Sequence, residues 1–341
     1  MTRGLDARRS TTLRAALLFA AIVAVTGVRF VDLDDLVALH THPLRLIEDS
    51  RAHYLHASLV SAFLGHALQA VSPRRVQALY LTAALLALAA ILLYGHRAIV
   101  DPAQRWIFFR LLAISPLIHV LLFWVGKSDP FFVAGYFLLL LSGHPLVVGA
   151  LSLGMTLTHP EQATVVLAVH TMLHRPRPGL LLAHVAGWAG GVGIYQVYLA
   201  QLDIAGSPRL AWVVDRFDVL ARTNFARPVS MLWLSFSWFW IPVLAYVTTR
   251  RDRVVPVLAG GCFVVAALGA DFTRIFTVVS LPLAVHVARE LARDDGGVLG
   301  GWVRMLTALA FLQVELVIGR VWDNGWALML LRNLGVRLGA P

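Results

Sequence analysis

The stretch VDLDDLVALHTHPLRLIEDSRAHYLH, residues 31–56, decides how the rest of the chain is read. Directly before it lies LRAALLFAAIVAVTGVRFV, residues 13–31. That run is long enough to cross a bilayer, which takes about 20 mainly apolar residues. The stretch itself carries Asp32, Asp34, Asp35, Glu48 and Asp49, five of the chain's 19 acidic residues, along with His40, His42, His53 and His56. A run of hydrocarbon side chains that ends in carboxylates and imidazoles reads as a helix leaving lipid for water. Almost everything that follows is apolar again.

The composition fits that reading. Of 341 residues, 58% are hydrophobic and 14% charged, with a mean hydropathy of +0.73. A soluble domain carries about 25% charged residues. Barrel-type alternation is absent, and a lipid-embedded backbone must satisfy its own hydrogen bonds, so helices are expected. The predicted fold is all-α and polytopic. The net charge of +10 comes almost wholly from arginine, since Lys127 is the one lysine. The arginines cluster at helix ends, as membrane topology requires, so the charge implies no nucleic-acid partner. Cys262 is the single cysteine, which excludes an intrachain disulfide. Arg3, Arg8, Arg9 and Arg14 surround the start of the first run, and no small-residue cleavage site precedes Asp32. The expectation is an uncleaved first span with a cytoplasmic N-terminus.

Further spans are predicted over 76–94, 106–125, 179–200, 229–247, 254–270, 275–288 and 302–321. Residues 53–71 either span or lie on the surface as an amphipathic helix. Between 130 and 173 the apolar pieces are short (131–141, 145–157 and 163–173), broken at His144 and Pro145 and again at Thr158, His159, Pro160 and Glu161. Short broken helices at membrane depth usually line a cavity. Gly187, Gly190, Gly191 and Gly193 allow close helix packing within 179–200. If the arginine clusters at 3–14, 175–177, 250–253 and 289–293 are cytoplasmic, three polar elements share the outer face. These are an acidic loop with surface helices over 32–75, a second loop over 203–228, and the turn from Asp271 to Arg274. Two threadings satisfy this, and both give one integral membrane domain, 1–341, with about eleven membrane-inserted helices.

In order and spacing, residues 13–170 resemble the GT-C glycosyltransferases, the multi-span enzymes that use polyprenyl-phosphate-linked sugars. Asp32, Leu33, Asp34 and Asp35 stand where that family places an acidic residue just past its first span. Ser115 and Pro116, then Gly126, Lys127, Ser128 and Asp129, then Gly154 and His159, Pro160 and Glu161, are similar to the layout of the dolichol-phosphate-mannose enzymes. The sequence departs from the family in its Asp-Leu-Asp-Asp loop, which matches no single subfamily, and in its short length without an evident soluble C-terminal domain. The resemblance implies an inverting transfer of sugar from a polyprenyl-phosphate carrier to a glycan, lipid or protein acceptor on the outer face. It also implies a multi-pass location in a bacterial inner or plasma membrane.

The candidate site residues follow from that chemistry. Glycosyl transfer to a hydroxyl needs a base, and a carboxylate among other carboxylates has its pKa raised towards that role. Asp34 and Asp35 are favoured, then Asp32, with Glu48 and Asp49 as the next choice. Paired acids could instead hold a divalent cation through oxygen ligands, although no cofactor is required. A departing lipid phosphate needs cations, and Lys127 beside Asp129 is the first candidate. The bland alternative is a lysine snorkelling to the interface. Asp271 and Arg274, three apart, can pair on one helix face, and ionisable groups at membrane depth are functional candidates. Arg222 and Arg227 are further phosphate ligands. His159 and Glu161 at a helix break, and His53 and Tyr54 at the end of the acidic stretch, complete the substrate-binding set. His170 and His174 are spaced to share a helix face, but no metalloprotease motif accompanies them and no zinc is expected. Phosphate-loop, dinucleotide and nucleophile-elbow motifs are absent from the sequence. Two other classes stay open. One is a polysaccharide polymerase or ligase with lipid-diphosphate donors, using arginine and histidine; the other is a non-enzymatic transporter or scramblase.

Overall fold

Proline sets where the helices begin. The helices Pro73–Ala98, Pro102–Ile114, Asp129–Leu141, Pro145–Thr158, Pro160–His174, Pro178–Gln201, Pro208–Asp215, Pro228–Phe236 and Leu281–Arg293 each carry one in the first turn. There the missing N–H costs nothing and the fixed φ suits the helix. The computed structural model describes residues 2–47, 50–204, 208–226, 228–269, 271–294, 299–312, 315–317 and 320–322. Glu48, Asp49 and Arg227 lie outside them.

The described chain is helical apart from one short antiparallel pair, Glu315–Val317 with Arg320–Trp322. Among the described residues, three helices are long and apolar enough to cross a membrane: Pro73–Ala98, Pro178–Gln201 and Pro228–Arg250. Two bent pairs raise that to 5 if each counts as one span. They are Pro102–Ile114 with Leu117–Phe123, bent by 55°, and Phe272–Val279 with Leu281–Arg293, bent by 60°. Pro116 and Pro282 stand at the two bends. By helix length the described residues hold 3 to 5 membrane-capable helices, because prolines divide the apolar runs.

Three boundaries differ from expectation. The first helix, Thr2–Thr26, stops at Gly27, whose φ of 80° takes the left-handed turn that ends helices, so 28–31 leave it as extended chain. The run 53–71 is divided into a 3₁₀ helix, Ser50–Ala57, and an α-helix, Leu59–Ala67, capped by Ser58. Neither is long enough to span. The last predicted span, 302–321, ends its helix at Leu309. The second polar loop is also helical, as Pro208–Asp215 and Phe217–Phe225.

The chain divides into two compact units that alternate along the sequence. One comprises Met1–Gly27, Leu92–Val120 and Phe217–Pro341; the other comprises Val28–Ile91 and Leu121–Arg216. In the first, Phe19 packs edge-on against Phe109 at 6.0 Å, and Phe236 meets Phe276 at 4.7 Å. Arg105 is completely buried there. Its Nε donates to the carbonyls of Gly95 and Ile99, both at 3.0 Å, and its Nη2 to those of Ile99 (2.6 Å) and Val100 (3.2 Å). In the second unit, Pro178–Gln201 packs along Pro145–Thr158. Gly187 lies against the Gly149 carbonyl and Gly191 against Thr156, each so close that a Cβ would collide. This is the close approach that the glycine run anticipates.

Candidate functional site

The site forms where the extended residues 29–31 meet the end of Leu117–Phe123. Val31 N donates to Val125 O and Val125 N to Arg29 O, both at 2.9 Å. Between these two segments the backbones touch: Gly126 adopts φ +117°, and a Cβ there would strike the Val31 carbonyl. Only glycine combines that conformation with that contact. The clasp fixes the register of two distant segments, so the next residue of each, Asp32 and Lys127, meet. Asp32 itself is left-handed, with φ 54° and ψ 30°, a conformation that Asp tolerates better than most residues.

Lys127 Nζ forms a short ion pair with Asp32 Oδ2 and donates to Tyr54 Oη at 2.7 Å. Tyr54 in turn donates to Asp32 Oδ2 at 2.6 Å. The lysine side chain is 11% exposed and the aspartate 25%, so the pair is partly withdrawn from water and in reach of a ligand. Two residues on, Asp129 opens the helix Asp129–Leu141 and is buried with His159. His159 Nε2 lies 3.0 Å from Ser128 Oγ, in hydrogen-bonding geometry, and 3.2 Å from Asp129 Oδ1 as a charge contact. A lysine, a phenol, a carboxylate and a histidine–carboxylate contact thus gather around one glycine turn. The cation can receive an oxyanion, and Asp32 can accept a proton.

Histidines hold the segment behind Asp32. Tyr198 donates to the Pro43 carbonyl at 2.9 Å, so it accepts from His56 Nδ1 at 2.7 Å, and His56 Nε2 accepts from Ile47 N at 3.3 Å. This arrangement requires a neutral ring. Burial first, and the neighbouring His53 second, push the His56 pKa down to about 4. His53 Nε2 donates to Ile47 O at 2.9 Å. His40, fully buried, donates to Ala70 O at 3.0 Å, and burial lowers its pKa as well. The His56–Tyr198 bond joins residues 142 apart, and no sequence pattern announced it.

The structure brings Asp32, Tyr54, Lys127, Asp129 and His159 into one unit and links them as described. It does not bring Asp34 to the lysine: Asp34 is exposed and Asp35 half-buried in the first turn of Leu33–Thr41, where carboxylates favour the helix N-terminus. Glu161 is half-buried in the first turn of Pro160–His174. Asp271 and Arg274 belong to the other unit, as does the exposed Arg222 on Phe217–Phe225. Arg274 is buried and binds Asp271 Oδ2 through Nη2 at 2.9 Å and Nε at 3.1 Å. Among the described residues, no three His, Cys, Asp or Glu side chains gather so that they could hold a metal ion. Ser128, bonded to His159, was missed by sequence reasoning; its position between Lys127 and Asp129 was the available signal. No family model, curated protein or solved structure matches the chain.

Proposed function

We propose that the protein is an integral membrane glycosyltransferase of GT-C type, its shorter apolar helices completing a multi-pass domain of about eleven inserted helices. It moves a sugar from a polyprenyl-phosphate carrier to an acceptor hydroxyl at the outer membrane surface. The observation that carries this reading is the Asp32–Lys127–Tyr54 cluster, a carboxylate, an ammonium and a phenol held together, with Asp32 a few residues past the first apolar helix in sequence. Without donor, Lys127 neutralises Asp32. The donor's phosphate draws the ammonium to itself, and the carboxylate then faces the acceptor. The acceptor oxygen attacks the anomeric carbon while the bond from that carbon to the phosphate oxygen breaks. The lipid phosphate leaves with the electron pair towards Lys127, the proton passes to Asp32, and the anomeric carbon is inverted. We assign Asp32 the role of base ahead of Asp34 and Asp35 because it is the carboxylate that pairs with Lys127.

The test is to incubate purified protein with a panel of radiolabelled polyprenyl-phosphate sugars and acceptor glycans. Transfer from at least one donor is expected, with Asp32→Asn slower by roughly 10²–10⁴-fold. Wild-type turnover in Asp32→Asn ends the assignment. A transporter or scramblase is the second reading, favoured by the bends of 55° and 60° in the two paired helices. Lipid-sugar flipping in liposomes without any transfer product supports it.

A further inference from the structure

We infer that the second unit carries a binding site for an anionic phospholipid, formed by an apolar groove and the basic turn at its end. The helices Pro160–His174 and Pro178–Gln201 both pack on Pro145–Thr158, which leaves a groove of about 330 Å³ between their outer faces. Its walls include Leu167, Met172, Leu181, Val185 and Trp188, side chains suited to an acyl chain. Met172 and Val185 stay 57% and 50% exposed, so the groove is not filled by the unit itself. Trp188 Nε1 donates to Thr164 Oγ1 at 2.9 Å across the groove, tying the two helices together without closing it.

The occupant is set by charge. The turn that joins the two helices carries Arg175 and Arg177, both exposed, and Arg175 takes the left-handed cap with φ 44°. Among the described residues neither arginine pairs with a carboxylate. Met172 and Leu181 stand within about one helical turn of these arginines along the chain. An acyl chain in the groove therefore brings its phosphate to two unpaired guanidiniums, the arrangement by which basic inter-helix pockets select anionic headgroups. This site is separate from the proposed donor site. His159 caps the opposite end of Pro160–His174, 15 residues long, so the basic turn lies about 22 Å away along that helix.

Native mass spectrometry of the full chain, delipidated and then given phosphatidylglycerol or phosphatidylcholine with the same acyl chains, tests the inference. The wild type is expected to retain phosphatidylglycerol preferentially, by roughly fivefold for each arginine. Arg175→Gln with Arg177→Gln should bring the two lipids to parity, while Arg175→Lys with Arg177→Lys keeps the preference. Leu181→Gln with Val185→Gln should lower retention of both. Equal retention by the wild type overturns the proposal, as does a preference that survives the glutamine pair. Gel-filtration profiles matching the wild type confirm that each variant is folded. Excess inorganic phosphate should not compete; displacement by it would show an anion site with no need of the groove, and would also overturn the proposal.

Discussion

Asp32–Lys127 and Asp271–Arg274 are both ion pairs between an aspartate and a basic side chain, yet they arise in opposite ways. The second is local: three residues of one helix start bring the groups together, and the aspartate sits at the positive helix end. The first spans 95 residues and exists because two backbones touch at a glycine. A local pair survives whatever happens elsewhere and carries little information about function. A pair that needs a tertiary clasp, a left-handed aspartate and a positive-φ glycine concentrates strain at one spot, as binding and catalytic sites do.

The comparison is broken most severely at Gly126. Gly126→Ala places a Cβ against the Val31 carbonyl in a backbone conformation that alanine resists. We expect a loss of about 3 kcal/mol or more, read as a lower melting temperature in detergent, and loss of any transfer activity. Gly261→Ala, where a Cβ meets nothing within 4 Å, serves as the control and should shift stability by less than about 1 kcal/mol. Equal melting temperatures for the two variants would show that the clasp does not hold the fold.

Removing the two cations separates function from structure. Lys127→Met should lower transfer at least as strongly as it lowers stability, because the proposed mechanism needs its charge at the phosphate. Arg274→Met should cost stability, on the order of 1–3 kcal/mol for the hydrogen-bonded Asp271 left without its partner, whatever it does to transfer. A stable, fully active Lys127→Met protein would reduce that lysine to a snorkelling residue.

The smallest effect is expected from mild acidification, about 1 kcal/mol between pH 7 and pH 6. His56 is neutral when folded, with a pKa lowered from 6.5 to about 4 by burial and by His53. Its contribution is fully present above pH 6.5 and is lost as pH falls towards 4, because the unfolded chain takes up the proton first. Melting temperature should decline across that window. His56→Gln should flatten the decline without altering transfer at neutral pH; an unchanged slope would mean that other groups set it.

How much of this was legible follows from range. Helical class and membrane character could be read from hydropathy, because every residue contributes to those signals. Lys127, Asp129 and His159 could be picked out as candidates from their place at helix breaks, where a polar side chain has reason to be, and the GT-C resemblance set them on one face. Which of Asp32, Asp34 and Asp35 pairs with Lys127 was not legible. It turns on a register fixed by Val31 and Val125, and hydrogen bonds between backbones leave no trace in side-chain chemistry. Where the apolar runs bend was not legible for a related reason: an apolar run looks continuous to a hydropathy average even where Pro116 or Pro282 turns the helix through more than 50°.

The buried Arg105 constrains how the chain enters a bilayer. A guanidinium keeps its charge at any biological pH, and here it rests on carbonyls at the end of the preceding helix. A segment bearing that charge alone would meet hydrocarbon with nothing to receive it, whereas a hairpin that already contains Gly95 and Ile99 carries its own counter-dipole. Residues 102–123 should therefore integrate during synthesis only when 73–100 precede them, and independent integration of 102–123 in a translocon assay would refute this order.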